Sequence, residues 1–491
     1  MRISRLTRLL PALAACLSLP VFAGQTPTES LPGPLPDPIP ERIEKGEIAV
    51  SLQDFARLPR LPDAATPPLT SNAHARIQYL KPLPDGSGRL AVHDLRGVLY
   101  FLREVPGEAE TEIEASAFLD LREQDVGFDA SMFPNETGLL GVAFHPDFNR
   151  PESPGHGKFY TAHTTAPDAR AASYLGSLGD EPNNHDSVIQ EWTADDPAAS
   201  VFSGTSRELF RIGQFAPNHN IGNLEFNPAA ATGDGDHGML YASLGDGGGA
   251  NDPREFGQST REPMAGILRI DPLGGGDGAA YGIPPDNPFV DTAGAAPEIW
   301  AWGLRHPQHF SFDRDGTMYI NDIGQLQIEE VNIGVAGANY GWRLREGSFA
   351  TAFGIGGVRP NPVYPRPSDE REFTYPVAQY DHDEGAAIGS GYVYRGAAIP
   401  ELRGKYVFAD LVNGRIFYIE TAGLQAGSPA EIRELRVFVD GAEANIADAH
   451  GHPNTYARGV RADLRLGIDS RGELYTLTKG DGWIRKIVAL K

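Results

Sequence analysis

Short segments of alternating apolar and polar residues recur along this chain, each broken by a turn that contains Gly or Asp. Two clear copies are FSFDRDGTMY at 310–319 and LGIDSRGELY at 466–475. Alternation with a period of two, interrupted by such turns, predicts β-hairpins. Six copies share a tyrosine at spacings of 60 to 87 residues, and these are Tyr100, Tyr160, Tyr241, Tyr319, Tyr406 and Tyr475. Helical periodicity is nearly absent.

Hairpins that recur at a rough period predict a radial array, here an all-β, six-bladed β-propeller with four-stranded antiparallel blades. The period exceeds the usual length of a blade, so we expect long loops on one face. Two stacked β-sandwiches remain an alternative. The propeller is assigned to residues 73–491. Residues 24–72 are assigned to a Pro-rich arm, because LPGPLPDPIP at 31–40 has no apolar period.

Residues 1–23 have the composition of a secretory signal peptide. Arginines at positions 2, 5 and 8 precede an apolar stretch over 9–22 that ends in VFA before a glycine. Cleavage after Ala23 is favoured, and LAAC ending at Cys16 offers the alternative of a lipoprotein anchor. Cys16 is the only cysteine, so a chain cut after Ala23 has no disulfide and no thiolate metal site. The predicted location is the periplasm or the exterior.

Composition narrows the possible partners. The 491 residues are 41% hydrophobic and carry a net charge of −23, which favours a large folded core and disfavours a phosphate backbone as a ligand. No stretch beyond the N-terminal segment is long enough to span a bilayer. Neither the oligomeric state nor the identity of a substrate follows from these properties.

Five motifs occur in order along the chain. They are GLLGVAFHPDF at 138–148, NHNIGNL at 218–224, GLRHPQ at 303–308, DIGQLQIEEVN at 322–332 followed by NYGW at 339–342, and SGYVYRG at 390–396. Together they resemble the soluble quinoprotein sugar dehydrogenases, the glucose/sorbosone dehydrogenase family, and the related hedgehog-interacting-like proteins. The resemblance covers roughly residues 75 to 488.

This resemblance implies a pyrroloquinoline quinone (PQQ) cofactor and a calcium ion at one mouth of the propeller. It implies that His219 is the general base that takes a proton from the sugar hydroxyl, a role suited to imidazole. It also implies that Arg305 stabilises charge on the quinone oxygen. The expected reaction is oxidation of an aldose or related polyol, with electrons passed to an external acceptor.

Further cofactor contacts are implied at Glu136, His306, Arg395, Arg461 and Arg465. His306 stands where the family usually has asparagine and Arg395 where it usually has lysine. These departures keep open a second interpretation, a non-catalytic propeller that binds a partner without quinone. A third interpretation is a calcium-dependent lactonase.

The implied calcium ligands are the carbonyl groups of Gly324 and Gln325, with Glu329 close by, because calcium prefers six to eight oxygen ligands. Tyr340 and Trp342 either line the sugar cleft or pack inside a blade. The Gly-rich segment 246–252 is interpreted as a long blade loop, with a second calcium site as the alternative. The acidic segment DHDE at 381–384 is interpreted as an exposed turn in preference to a metal site.

Overall fold

The regular structure of this chain is almost entirely β-strand. The computed structural model describes residues 32–62, 73–103, 113–131, 136–167, 183–276, 278–356, 362–368, 372–453 and 459–490, and Pro34–Lys491 forms one compact unit. Its helices are the 3₁₀ turns Leu121–Glu123, Phe256–Gln258, Ala352–Ile355 and Pro400–Leu402 and the short helix α1 (Ile446–His450). No helix in these ranges has the length and apolar character needed to cross a membrane. The predicted signal peptide at 1–23, with Cys16, lies outside the described residues.

Four sheets are separate four-stranded antiparallel meanders, named here the first to fourth blades. The first blade contains β2 (Ile77–Pro82), β3 (Arg89–Asp94), β4 (Val98–Arg103) and β6 (Ser116–Asp120). The second contains β7 (Leu139–Phe144), β8 (Lys158–Thr165), β9 (His185–Ala194) and β10 (Gly204–Gln214). The third contains β11 (Ile221–Phe226), β12 (Leu240–Leu244), β13 (Gly266–Ile270) and β14 (Ile299–Trp302). The fourth contains β15 (His309–Phe312), β16 (Met318–Asp322), β17 (Ile328–Ile333) and β20 (Ala378–Asp381).

The remaining long strands form one ten-stranded sheet. One meander in it is β21 (Ile388–Val393), β22 (Lys405–Asp410), β23 (Ile416–Glu420) and β24 (Arg433–Val439). The other is β28 (Arg465–Ile468), β29 (Leu474–Leu477), β30 (Trp483–Ala489) and β1 (Lys45–Arg57). Strand β1 joins the two meanders, since it pairs parallel with β24 and antiparallel with β30. The short strands are β5 (Ile113–Glu114), β18 (Arg345–Glu346), β19 (Phe349–Ala350), β25 (Ala442–Glu443), β26 (His452–Pro453) and β27 (Val460–Arg461).

The position of β1 corrects the predicted boundary of the arm. The sequence assigned residues 24–72 to an extended segment outside the propeller, whereas β1 is an integral strand of the large sheet. Residues 41–58 contain no proline, so every residue of β1 keeps the amide hydrogen that a ladder requires. The Pro-rich composition applies only to the residues before and after this strand.

The first strands of all six meanders contact one another in a closed cycle, in the order β2, β7, β11, β15, β21, β28 and back to β2. Glycines permit this close approach. A methyl group at Gly141 would lie 2.6 Å from the carbonyl oxygen of Gly222, and one at Gly222 would lie 2.8 Å from that of Gln308. The all-β, propeller-like architecture is therefore confirmed, with four separate blades and one large sheet.

Aromatic side chains fill the space between neighbouring sheets. The six repeated tyrosines are all buried, and Tyr319 of β16 stacks on Tyr406 of β22 with ring centroids 4.4 Å apart. Five of the six lie on the second strand of a meander, but Tyr100 lies on the third strand of its blade, β4. The repeated tyrosines thus mark packing positions between sheets, and Tyr100 lies one strand later in its blade than the other five.

Long connections occur at both ends of the meanders. Residues 245–265 join β12 to β13 at one end, and residues 271–298 join β13 to β14 at the other. The prediction that long loops decorate one face is therefore wrong. Because successive connections of an antiparallel meander alternate between its two ends, an insertion can enter at either end.

The close approach of β7 and β11 yields a stability prediction. Gly141→Ala should destabilise the fold by about 1–3 kcal/mol, because the added methyl group meets backbone atoms that cannot move independently. Thermal and denaturant unfolding measure this loss. The matched control is Gly235→Ala, where the position is exposed and a methyl group meets nothing within 4 Å. Equal unfolding midpoints for the two variants would contradict the packing proposed here.

Candidate functional site

One end of the propeller brings together most of the chemistry predicted from the sequence. The residues just before the first strands β7, β11, β15 and β28 supply Glu136, His219, Arg305 with His306, and Arg461. The residues after the second strands β12, β16 and β29 supply Asp246, the loop at 323–327, and Lys479. Because the first strands form a ring, loops that are distant in sequence meet at this mouth.

His219 is held by two carboxylates. Its backbone, at a φ of +57°, donates its N–H to Glu136 Oε2 at 3.0 Å, and its ring Nδ1 lies 2.6 Å from Asp246 Oδ1. The side chain is buried. Burial, reinforced by the Arg305 guanidinium, holds the pKa of His219 well below its usual range. The imidazole is therefore neutral and can accept a proton.

Asp246 is the main functional residue that the sequence did not identify. Besides the His219 ring, it accepts hydrogen bonds from Trp342 Nε1 at 2.9 Å and from the Gly248 amide at 3.0 Å. Burial raises the pKa of Asp246 to about 6, although Arg305 opposes this effect. Segment 246–252 is thus a blade loop, as predicted, but its first aspartate orients the histidine. Its sequence gives no sign of this role.

Arg305 and His306 are fixed through their backbone. Asp322 accepts the N–H groups of Arg305 at 2.8 Å and of His306 at 2.7 Å. The His306 ring stacks on the His219 ring with centroids 4.7 Å apart and planes 18° from parallel. Its Nε2 lies 3.6 Å from Glu136 Oε2. His219, Arg305, His306 and Glu136 therefore form one cluster.

The predicted calcium loop is shaped by buried carboxylates. Glu346 Oε1 accepts the backbone N–H groups of residues 325–328 at 2.8 to 3.1 Å. The carbonyl oxygen of Gly324 accepts a hydrogen bond from Arg305 Nη1 at 2.7 Å. The side chain of Gln325 is bonded in both directions to Asn251, which leaves its carbonyl as the group predicted to bind calcium.

Glu329 has a different environment from the one predicted. It is fully buried and accepts hydrogen bonds from the amides of Ile388 at 2.8 Å and Gly324 at 3.3 Å. Its Oε1 lies 2.8 Å from His382 Nε2. Although burial opposes it, Glu329 raises the pKa of His382. Both oxygens of Glu329 thus bind protein groups, and through the Gly324 amide this carboxylate holds the predicted calcium loop in place.

A group of cations lines another side of the mouth. Arg461 pairs with buried Asp463, with Nε 2.7 Å from Oδ1. Arg465 is buried and contacts Gln308 through Nη2, while its Nε and Nη1 have no hydrogen-bond partner. Lys479, which the sequence did not identify, is also buried, and burial lowers its pKa to about 7. The site therefore concentrates positive charge within an acidic protein.

Arg395 is not part of this cluster, so the structure does not bring it together with the other residues predicted to contact the cofactor. It follows β21 and pairs with Asp313, which follows β15, with Arg395 Nε 3.0 Å from Asp313 Oδ1. The opposite end of β21, at Ile388, is the end near the site. The motif SGYVYRG at 390–396 runs along β21 at about 3.3 Å per residue, so its last residues lie at the other mouth.

Tyr340 and Trp342 take separate roles. The Tyr340 hydroxyl donates to the carbonyl of Ile333 at 2.7 Å, so this ring packs inside the blade. Trp342 donates a hydrogen bond to Asp246, and its ring centroid lies 5.6 Å from the Arg305 guanidinium carbon, so it belongs to the site.

A cavity of about 370 Å³ lies at the other mouth and is lined by Lys81 and Glu225 among others. It contains none of the predicted site residues.

The buried His219 imidazole is held by the Asp246 carboxylate at the mouth that also contains Arg461, Arg465 and Lys479. The fold and these residues define a propeller with a candidate active site at one end of its axis. The chain belongs to the Glucose / Sorbosone dehydrogenase family, which matches residues 79–480.

Individual relatives agree with this family. The chain is 29% identical to HIPL1 protein of Arabidopsis thaliana over 81% of this chain and 59% of that protein. It is 33% identical to Aldose sugar dehydrogenase YliI of Escherichia coli (strain K12) over 42% of this chain and 46% of that protein. The chain spans about half the length of the curated relatives it matches.

A solved structure shows the same fold. The PQQ-bound form of Aldose Sugar Dehydrogenase from Streptomyces coelicolor superposes with a TM-score of 0.57 at 21% identity, over 92% of this chain and 100% of that chain. This likeness confirms the predicted propeller-type architecture.

The environment of Glu346 generates a prediction about the loop. Glu346→Gln should make the amides at 325–328 exchange about tenfold faster, because a neutral acceptor binds N–H groups more weakly than a carboxylate. Hydrogen–deuterium exchange read by mass spectrometry measures this change. Glu401→Gln, at an exposed position, serves as the control. Unchanged protection at 325–328 would show that Glu346 does not hold the loop.

Proposed function

We propose that this protein is a PQQ- and calcium-dependent dehydrogenase that oxidises an aldose or related polyol and passes the electrons to an external acceptor. The single observation that carries the proposal is the His219–Asp246 pair at the same mouth as Arg305 and Arg465. Membership of the glucose/sorbosone dehydrogenase family supports it. So do the names of two similar proteins, the aldose sugar dehydrogenases of E. coli and S. coelicolor.

The charged groups of the mouth fit the cofactor. PQQ carries three carboxylates and an ortho-quinone, so it needs cationic donors. Arg465 Nε and Nη1 and Arg305 Nε are buried and have no hydrogen-bond partner. Such donors are costly to leave unpaired, and an anionic ligand would satisfy them. Arg461 and Lys479 add positive charge beside them, and we assign these residues to the carboxylates.

The chain's own residues prepare a proton acceptor. Because an ionised Asp246 can only accept a hydrogen bond, it keeps the hydrogen of His219 on Nδ1 and leaves the Nε2 lone pair available. The low pKa of His219 keeps that lone pair free of a proton. His219 would then take the proton of the substrate hydroxyl at Nε2. The quinone, when bound, would supply the acceptor for the hydride from the carbon that carries this hydroxyl.

Arg305 and the calcium loop are linked. The Gly324 carbonyl, a proposed calcium ligand with that of Gln325, is held by Arg305 Nη1. A carbonyl oxygen has two lone pairs, so that of Gly324 could bind calcium while it keeps the hydrogen bond from Arg305. Arg305 would stabilise negative charge at the mouth. The Asp322 carboxylate holds the Arg305 backbone in place.

Two further proposals concern the whole chain. We infer that the ten-stranded sheet comprises the fifth and sixth blades of a six-bladed propeller. The closed cycle of first strands and the closure of one meander by β1 support this count. We also propose that the protein is exported to the periplasm or the exterior by the signal peptide at 1–23.

A non-catalytic binding propeller is the alternative function. The position of Arg395 at the other mouth favours it. The two functions differ in a property that can be measured directly, the binding of a quinone at the candidate site.

The test is a titration of purified, chelator-treated protein with PQQ and calcium, followed by a sugar. We expect a bound quinone spectrum that changes when the sugar is added. His219→Ala should keep the bound spectrum and lose about 10²–10⁴-fold in kcat, the usual contribution of a general base. The matched control is His237→Ala, since His237 lies in the distant β11–β12 connection.

The outcomes separate the two functions. No bound spectrum at micromolar PQQ, in a protein with native circular dichroism, would reject the dehydrogenase and favour the binding propeller. Near-normal turnover of His219→Ala would reject the role of this histidine alone.

The pKa of Asp246 predicts the acid limb of the activity. As pH falls through about 6, Asp246 takes up a proton and loses its capacity to hold the His219 ring, so kcat/KM should fall with a midpoint near pH 6. Asp246→Asn should be slower by about 10²–10⁴-fold and lack this limb. An Asp246→Asn variant with the wild-type pH profile would contradict the assignment. Steady-state rates across pH, with a dye acceptor, give the comparison.

A further inference from the structure

Three carboxylates meet beside β20, the outermost strand of the fourth blade, at the same end of the blade as the predicted calcium loop. Asp37 comes from the N-terminal segment, Asp381 is the last residue of β20, and Asp383 lies in the turn that follows. One ligand oxygen from each lies within 4.8 Å of the others. The cluster therefore joins two parts of the chain that are more than 340 positions apart in sequence.

Asp381 has an unsatisfied oxygen. The residue is 4% exposed, so the interpretation of 381–384 as an exposed turn is wrong for this aspartate. Its Oδ2 accepts the amide of Ile39 at 3.1 Å, while its Oδ1 is buried without any hydrogen-bond partner. A buried carboxylate oxygen with no donor is costly unless a proton or a cation meets it. The Asp37 and Asp383 carboxylates are the groups within reach.

Protein cations do not balance the cluster. The Arg42 guanidinium contacts Asp383 and lies 3.5 Å from Glu384 Oε1. Arg415 binds Glu384 and Glu434, so its charge is already used. One guanidinium shared with Glu384 thus faces three carboxylates, and a divalent cation would fit among their oxygens.

The ligand atoms indicate which cation fits. All three are carboxylate oxygens, and the neighbouring His382 ring is directed to Glu329. Hard oxygen ligands without nitrogen or sulfur suit calcium better than zinc or copper. The exposed Asp37 and Asp383 leave room for water to complete six to eight ligands.

We propose that Asp37, Asp381 and Asp383 bind a structural calcium ion that fastens the N-terminal segment to the end of the fourth blade. The segment already contacts this place through Ile39. From there it continues into β1, the strand that joins the two meanders of the large sheet. The ion would therefore hold the approach to β1 and the crossover from β20 to β21 together.

The test measures calcium itself. Chelator-treated protein is titrated with calcium alone to about 1 mM, the range of extracellular calcium modules, with bound metal counted after equilibrium dialysis. We expect wild type to bind one calcium more than Asp37→Asn, or to bind it about tenfold more tightly, since affinity follows the number of ligand charges. Calcium should also slow protease cleavage within residues 32–44 of wild type only.

The control and the second variant keep the test decisive. Asp291→Asn removes the same charge from an exposed loop and should behave as wild type. Asp383→Asn should repeat the result of Asp37→Asn, and both positions are exposed, so neither change disturbs the core. Equal calcium stoichiometry and affinity in wild type and both variants would overturn the proposal. A calcium ion at Gly324 would bind equally in all four proteins and cancel from the comparison.

Discussion

The close contact of the first strands around the axis is the constraint on which the candidate site depends. Glycines at positions such as 141 and 222 allow neighbouring strands to approach at backbone distance. Because these strands run in the same sense along the axis, the residues that precede them all emerge at one mouth. His219, Arg305 and Arg465 meet there although they are distant in sequence. A wider ring would break contacts between neighbouring loops, such as the hydrogen bond from the His219 amide to Glu136.

The electrostatics of the mouth follow from burial. The chain carries a net charge of −23, yet Arg465 and Lys479 are buried together near Arg461. Burial penalises each charge, which lowers the pKa of Lys479 to about 7 and that of Arg465 as well. A site that holds cations at this cost is suited to an anionic ligand.

The turns and the tyrosine repeat correctly predicted a propeller-type fold. They did not predict β1, which lies outside the repeat. Strand β1 was missed because proline-rich neighbours hide a short alternating segment. His219 and Arg305 were found by resemblance, whereas Asp246 was missed because its neighbours are glycines without a periodic signal. Arg395 lies apart from the site because a motif that spans a whole strand reaches both mouths, and the sequence does not tell which end of the strand lies at the candidate site.

Buried carboxylates at the ends of second strands explain why the sequence does not reveal the role of Asp246. Asp94, Asp322 and Asp410 end β3, β16 and β22, and each accepts backbone N–H groups of the residues that lead into the first strand beside it. In these blades the aspartate is part of the fold. In the third blade, Asp246 lies two residues beyond β12, and its Oδ1 meets the His219 imidazole as well as the Gly248 amide. A structural carboxylate displaced by two residues thus becomes the group that orients a base, and composition alone cannot separate the two uses.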